Sequence, residues 1–326
     1  MPRQARLDGP GALHHIMMRG INKVHIFADD YDKRRFLERL GENVVDGKCF
    51  IYAWVLMDNH VHLLFKSGKM GISAVMRKQL AWYAQYFNRR HRRTGHLFQN
   101  RYKSVICDEE NYFLALIRYI HLNPIRARIV KTMEELDAYP WSGHSTIVGK
   151  IKNSWMDINA TLSRFGDRRK MAVAEYRRFV EEDLGSGRKP ELTGGGLIKS
   201  HGGWSQVLAL QRSGQREESD ERILGSGDFV HTLLREAEEM QLRQTKLRRS
   251  GKEIVDIIRE ECKKAGVNEQ ELVRGSRRRK VSRTRAEIAL RCKVEIGCSG
   301  AEIARHLGVN TTSINRAIER AEEPSG

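Results

Sequence analysis

No apolar run in this 326-residue chain approaches the roughly 20 residues a membrane-spanning helix needs. The opening Met-Pro-Arg-Gln-Ala-Arg is not followed by an apolar stretch, so no secretory signal is expected. The five cysteines, at 49, 107, 262, 292 and 298, are odd in number and widely scattered. They suit neither a disulfide framework nor a four-cysteine zinc site, and they point to a reducing cytoplasm. No internal repeat is visible.

What the chain has in excess is positive charge. It carries 58 Lys and Arg against 41 Asp and Glu, a formal charge of +17, and is 40% hydrophobic and 30% charged. Such a balance fits a globular protein and favours a polyanionic partner, nucleic acid ahead of anionic lipid. Residues 1–150 hold 24 basic and 14 acidic side chains, and residues 151–326 hold 34 and 27. Both halves are basic, so two nucleic-acid contact surfaces are expected.

The first 150 residues read as an α+β unit. Strands are expected at 13–19, 49–57, 60–66 and 102–107, with Asp58-Asn59 as a tight turn between the second and third. Helices are expected at 32–45, 71–90 and 109–122, each with an apolar stripe at helical spacing. The order β-α-β-β-α-β is that of a ferredoxin-like split βαβ fold, with one further helix. Residues 124–150 read as an appendage anchored by Tyr139 and Trp141. Residues 151–228 combine helical patches with a Gly- and Ser-rich linker, in which 204–210 could form one short helix. From 229 to 326 the pattern is helical throughout.

The chemistry centres on His60-Val61-His62 and on Tyr119-Ile120-His121-Leu122-Asn123-Pro124. Side chains alternate along a strand, so His60 and His62 share a face and make half of a metal site. Tyr119 and Asn123 are four apart, one turn of a helix. A tyrosine hydroxyl can act as a nucleophile, and an amide oxygen suits a hard divalent cation. Two imidazoles and one amide oxygen would leave positions open for a phosphate oxygen, as in-line transesterification requires. Alternatives remain open at this level. The histidines could be satisfied core residues, Tyr119 a packing residue and Asn123 a helix end before proline. Tyr112, two turns before Tyr119, is the rival nucleophile. His121 faces away from Tyr119 and reads as structural. Only one of His14 and His15 can face any site, and both read as non-catalytic.

The segment 53–62, Ala-Trp-Val-Leu-Met-Asp-Asn-His-Val-His, resembles the histidine-hydrophobic-histidine motif of the single-tyrosine (Y1, IS200-like) transposases. Tyr119 to Ala127 is similar to their tyrosine segment. The likeness is greatest to the REP-associated tyrosine transposase branch, with support from residues 19–23, 98–102 and 139–142, and it spans roughly residues 8–148. It implies that His60, His62 and Asn123 bind Mg²⁺ or Mn²⁺, with Asn123 where other members carry glutamine or a similar residue. It implies that Tyr119 is catalytic, forming a covalent 5′-phosphotyrosine with single-stranded DNA at hairpin-forming sites. A non-catalytic DNA-binding regulator and a water-using metal hydrolase are the competing classes. Monomer and homodimer are both compatible with the sequence.

Phosphate contacts are expected from Arg19, Arg89, Arg90, Arg92, Arg93, Arg101, Lys103, Arg126 and Arg128. Near the far end, 299–321 has the look of a helix-turn-helix. Ser299 would cap its first helix, and Gly308 would permit the turn. Together with Arg277-Arg278-Arg279-Lys280 upstream, the block resembles the duplex-binding domain of the bacterial replication initiator DnaA. No nucleotide-binding motif precedes it, so the resemblance is confined to that domain. Arg283, Arg285, Thr311, Thr312, Ser313, Asn315 and Arg316 are the expected contacts to duplex DNA.

Overall fold

Strands β1 (Leu13–Arg19), β2 (Phe50–Met57), β3 (His60–Lys66) and β4 (Lys103–Cys107) form where branched and aromatic residues crowd together. The computed structural model describes residues 7–68, 71–185, 189, 192, 219–249 and 253–321. A two-residue turn at Asp58 and Asn59 returns β2 into β3, with Met57 opposite His60. β3 then pairs antiparallel with β1, and β1 with β4. Four strands in the order β2-β3-β1-β4 are the split βαβ sheet of a ferredoxin-like fold. A short fifth strand, β5 (Ile223–Leu224), adds to β4 in parallel. It lies in a stretch whose composition reads as linker. Two residues that complete a sheet edge leave no periodic signal, so the difference is one of pattern length.

Three helices complete the core. α1 (Asp30–Asp46) is capped by the Asp29 carboxylate, which accepts from the Asp32 amide at 3.0 Å. α2 (Ser73–Arg90) packs on α1, and a buried Asn43–Gln79 hydrogen bond of 2.9 Å ties the two. α3 (Glu109–His121) is capped by Asp108 and lies against β2 and β3. Both faces of β3 are therefore covered. Val61, Leu63 and Phe65 are buried on one face, His62 and Leu64 on the other. That is why β2 and β3 read as near-continuous apolar runs rather than as clean alternation.

Four further helices belong to the same unit: α4 (Asn123–Arg126), α5 (Met133–Ala138), α6 (Gly143–Ile147) and α7 (Asn159–Leu162). Trp141 is buried and its carbonyl accepts from the Leu56 amide at 2.9 Å, fastening the appendage to β2. A longer helix, α8 (Arg169–Glu181), packs on α3. The first compact unit runs to His231 and the second spans Thr232–Gly326. Chain beyond residue 150 therefore contributes to the first unit. The expected short helix at 204–210 lies outside the described residues.

Gly20 closes β1. A Cβ there would sit 2.2 Å from the Val24 carbonyl oxygen, so no larger residue fits without moving backbone. The Arg19 carbonyl accepts from the Gln99 amide at 2.9 Å, and Gly20 bridges Phe98. The two outlying motifs at 19–23 and 98–102 thus meet at one end of the sheet.

The second unit is helical. α9 (Gly227–Arg249) crosses its boundary; α10 (Ile254–Ala265), α11 (Glu269–Val273), α12 (Arg279–Glu295), α13 (Gly300–His306) and α14 (Thr311–Ala321) follow. Arg291 joins α12 to α10 through Glu261 and Glu260, both at 2.9 Å. Ser299 caps α13, and Glu302 reaches back to the Ser299 amide. Gly308 turns the chain into α14 at φ +61°, and a Cβ would lie 2.0 Å from the Val273 carbonyl oxygen. Ile303, Leu307, Ile314 and Ile318 are buried beneath these two helices.

Candidate active site

β3 is an interior strand, and α3 lies across its His62 face. Alternation puts His60 and His62 on that face with ring centroids 5.2 Å apart. The Tyr119 ring stands 6.0 Å from His62, edge to face. All three come from one chain and line one cleft of about 470 Å³, with Arg19, Asn123, Arg126 and Lys189. A larger groove, about 680 Å³, runs between α2 and residues 95–102 and is lined by Arg77, His96, Phe98 and Arg101. It holds none of the His60, His62, Tyr119 and Asn123 set, so the chemistry belongs to the smaller cleft.

Asn123 owes its orientation to Pro124. Proline has no N–H, so it cannot donate to the Ile120 carbonyl as the next helical residue would. The Asn123 side-chain amide does so instead, donating to the carbonyls of Ile120 at 3.2 Å and Tyr119 at 2.9 Å. Its nitrogen is thereby spent on the backbone, which leaves the oxygen as its free acceptor, and Asn123 lines the cleft. Proline and asparagine together are thus more than a helix end.

His60 is ordered in the same manner. The Asn59 amide donates its Nδ2 to the Lys23 carbonyl at 3.1 Å, which fixes which end of that amide is oxygen. That oxygen is 2.6 Å from His60 Nδ1, so Nδ1 carries the proton and Nε2 keeps its lone pair. Burial pushes the His60 imidazole down to about 4, helped by the nearby Arg19 charge and opposed by Asp58. Burial likewise holds His62 well below the usual histidine range, with His15, His60 and Arg19 adding to the effect. Both rings are neutral near pH 7, as metal ligation requires. Among the described residues no three His, Cys, Asp or Glu side chains form a metal cluster. The candidate donor set here is two imidazoles and one amide oxygen, all lining the one cleft, and these are donor types that suit a divalent cation.

Arg126 holds the tyrosine in place. It donates to the Tyr119 carbonyl at 3.1 Å, its guanidinium carbon lies 5.3 Å from the ring centre, and it pairs with Asp183 at 2.8 Å. Lys189 pairs with the other Asp183 oxygen at 2.7 Å. Neither Asp183 nor Lys189 carries a sequence signal for the site.

Expected residues that the structure relocates are three arginines and one histidine. Arg90 was expected on phosphate but is committed to Asp29 and to the buried Asp32. Arg126 is committed to Asp183. Arg285 is buried, and its guanidinium donates to the carbonyls of Leu272 at 2.7 Å and Ser276 at 3.3 Å, so it holds a loop and does not face solvent. Each reads as a surface cation in sequence because its partner is distant or is backbone. His15 reads as non-catalytic in sequence, yet its Nε2 lies 2.9 Å from His62 Nδ1 and its ring is 6.0 Å from Tyr119. Burial pushes it down to about 4, against the Leu192 hydrogen bond and with help from Lys103.

The remaining residues sit as follows. Arg19, Arg89, Arg92, Arg101, Lys103 and Arg128 are exposed, and Arg93 is half-buried near Phe87. Tyr112 is half-buried and does not line the cleft. His121 is buried, with Nδ1 2.7 Å from the Tyr176 hydroxyl, which also meets His144 at 2.9 Å. In the second unit Arg283, Thr311, Thr312 and Arg316 are exposed, and Ser313 and Asn315 half-buried.

Residues 11–123 match the transposase IS200 like family. The matched segment carries His60, His62, Tyr119 and Asn123. Among solved structures, the chain is similar to one described as the REP-associated tyrosine transposase bound to a REP hairpin. The identity is 18%, the match covers 52% of this chain and 98% of that one, and the TM-score is 0.38. No curated protein matches the chain. Among the described residues, no helix is long and apolar enough to cross a membrane.

Proposed function

We propose that the first unit is a metal-dependent single-strand DNA endonuclease and strand transferase. It would act at hairpin-forming sites through a covalent 5′-phosphotyrosine on Tyr119. The observation that carries this is the Tyr119 ring 6.0 Å from His62, above a cleft shared with His60 and Asn123. Mg²⁺ or Mn²⁺ held by His60, His62 and Asn123 would polarise the scissile phosphate and orient it. The Tyr119 hydroxyl would give up its proton as its oxygen bonds to phosphorus, the bond from phosphorus to the 3′ oxygen would break, and that oxygen would leave as a hydroxyl after taking up a proton. One phosphodiester is exchanged for another, so no nucleotide cofactor is required, and attack by a second 3′-hydroxyl reverses the step. Since one chain supplies both nucleophile and ligands, a second copy is not needed to build the site. Arg19, Arg89, Arg92, Arg93, Arg101, Lys103 and Arg128 would contact phosphates along the strand.

The test is a hairpin oligonucleotide with single-stranded flanks, labelled at its 3′ end and incubated with Mn²⁺. The expected product is a labelled protein–DNA adduct that survives denaturation, beside an unlabelled fragment ending in a 3′-hydroxyl. Free 5′-phosphate with no adduct sinks the tyrosine chemistry and favours hydrolysis by water. Hairpin binding with no cleavage favours the regulator reading.

The second unit would bind duplex DNA through Arg283, Thr311, Thr312, Ser313, Asn315 and Arg316, with α14 toward the major groove. Joined to the first unit, it would raise the local concentration of duplex flanking the cleavage site. Arg316→Glu should weaken duplex binding by at least about tenfold and flatten its salt dependence, while adduct formation on a bare hairpin continues. Unchanged duplex affinity in that variant would reject this surface.

A further inference from the structure

Resting on the metal site proposed above, we infer that His15 is a positioning residue that fixes the proton of His62, and that chain well beyond the family-matched segment anchors it. The Leu192 carbonyl oxygen lies 2.9 Å from His15 Nδ1, and a carbonyl can only accept. His15 therefore carries its proton on Nδ1, and its Nε2 holds a lone pair. That Nε2 is 2.9 Å from His62 Nδ1, so His62 must donate there and carries its own proton on Nδ1. His62 Nε2 is left as the lone pair. With His60 set the same way by Asn59, both imidazoles present Nε2, the same kind of donor, from one strand face. His15 is no ligand itself, because both of its nitrogens are engaged.

The relay is enclosed. His15 is fully buried, its ring stacks on His62 at 5.2 Å, and it meets the Tyr119 ring edge-on at 6.0 Å. It stands on β1, where strand alternation places it on the His62 face of the sheet beside Met17, the register partner of His62. The anchor comes from elsewhere. Leu192 lies 69 positions beyond residue 123, the last that the family matches. The Leu192 amide donates to the Lys189 carbonyl at 3.2 Å, and Lys189 lines the cleft. A partner that receives the second nitrogen of a ligating histidine orients the ring and selects its tautomer. Here the partner is a second histidine, and the selection is handed on from a backbone carbonyl of the extension.

The experiment uses the full-length chain. Imidazole ¹⁵N NMR of the metal-free protein should show His62 protonated on Nδ1, and His15→Leu should give a mixed or reversed tautomer. Mn²⁺ titration, followed by the EPR signal of the free ion, should show His15→Leu binding about 10- to 100-fold more weakly than the parent. His15→Gln keeps an acceptor for His62 and should recover most of that loss. It also serves if His15→Leu fails to fold. His62 found protonated on Nε2 in the parent overturns the inference. So does a folded His15→Leu, or His15→Gln and His15→Leu alike, with parental tautomer and Mn²⁺ affinity within twofold. If the parent and His62→Ala bind Mn²⁺ equally poorly, the metal reading falls, and the tautomer measurement shows that failure to be separate.

Discussion

If Tyr119 is the nucleophile, as proposed, Tyr119→Phe should remove the covalent adduct altogether, with a loss of rate on the order of at least a thousandfold. The substitution is unusually clean. Tyr119 is 8% exposed, and its ring packs edge-on against His62 and His15 beneath the Arg126 guanidinium. Phenylalanine keeps every ring contact and deletes only the oxygen. The backbone bonds from Asn123 and Arg126 end on the Tyr119 carbonyl, which the change does not touch. Hairpin affinity should stay within about twofold and Mn²⁺ affinity should be unaltered, since the loss is of an interaction made in the reaction and not in binding. The control is Tyr112→Phe. Tyr112 lies on the same helix, but it is outside the cleft, and burial beside Asp108 pushes its hydroxyl up, away from ionisation. That variant should form adduct like the parent. Adduct persisting in Tyr119→Phe, or vanishing in Tyr112→Phe, would reassign the nucleophile.

The parts of this molecule that were legible in sequence are those built from short-range pattern. The β2–β3 hairpin announces itself because branched and aromatic residues run unbroken on both sides of Asp58-Asn59. Strand alternation then places His60 and His62 together with no further information. Tyr119 and Asn123 share a helical face for the same local reason. The capping of α13 by Ser299, with Glu302 three residues on, is equally local. What could not be read is whatever depends on a distant partner. The pair His14-His15 carries no mark of which ring faces the cleft; both are buried, on opposite faces of the sheet, and the register of β1 against β3 decides which meets His62. Arg90, Arg126 and Arg285 look like surface cations until Asp32, Asp183 and the Leu272 carbonyl arrive from 58, 57 and 13 positions away. Leu192 takes part through a carbonyl, which every residue possesses, so its side chain carries no hint. The orientation of Asn123 stands between the two classes: the missing N–H of Pro124 is plain in the sequence, but its consequence for the amide depends on the fold.

Stability of the metal-free first unit should fall steeply as the pH drops from about 6.5 toward 4. Burial holds His14, His15 and His60 each down to about 4 and holds His62 and His121 well below their ordinary value. Asp8, 4.0 Å from His14, works against this only in part. The sign follows from linkage. In the unfolded chain these imidazoles take up protons near pH 6.5, whereas in the fold they stay neutral until about 4. Between those values the unfolded state binds more protons, so stability declines as pH falls. The contribution is fully present above 6.5 and is gone below 4. Each group is worth at most about 1.4 kcal/mol per pH unit in that window. At pH 5 the three with values near 4 could together remove up to about 6 kcal/mol, a large share of a typical domain's 5–15 kcal/mol. The second unit is an internal reference, because its one histidine, His306, is exposed. Amide hydrogen exchange at pH 7 and pH 5, corrected for the intrinsic rate, should show protection falling along β1 and β3 while α10 and α12 hold. Equal loss in both units would mean that general charge repulsion, and not the buried histidines, drives the effect. Undiminished protection in β1 and β3 at pH 5 would mean that these histidines take up protons in the fold as readily as in the unfolded chain, and the linkage would be absent.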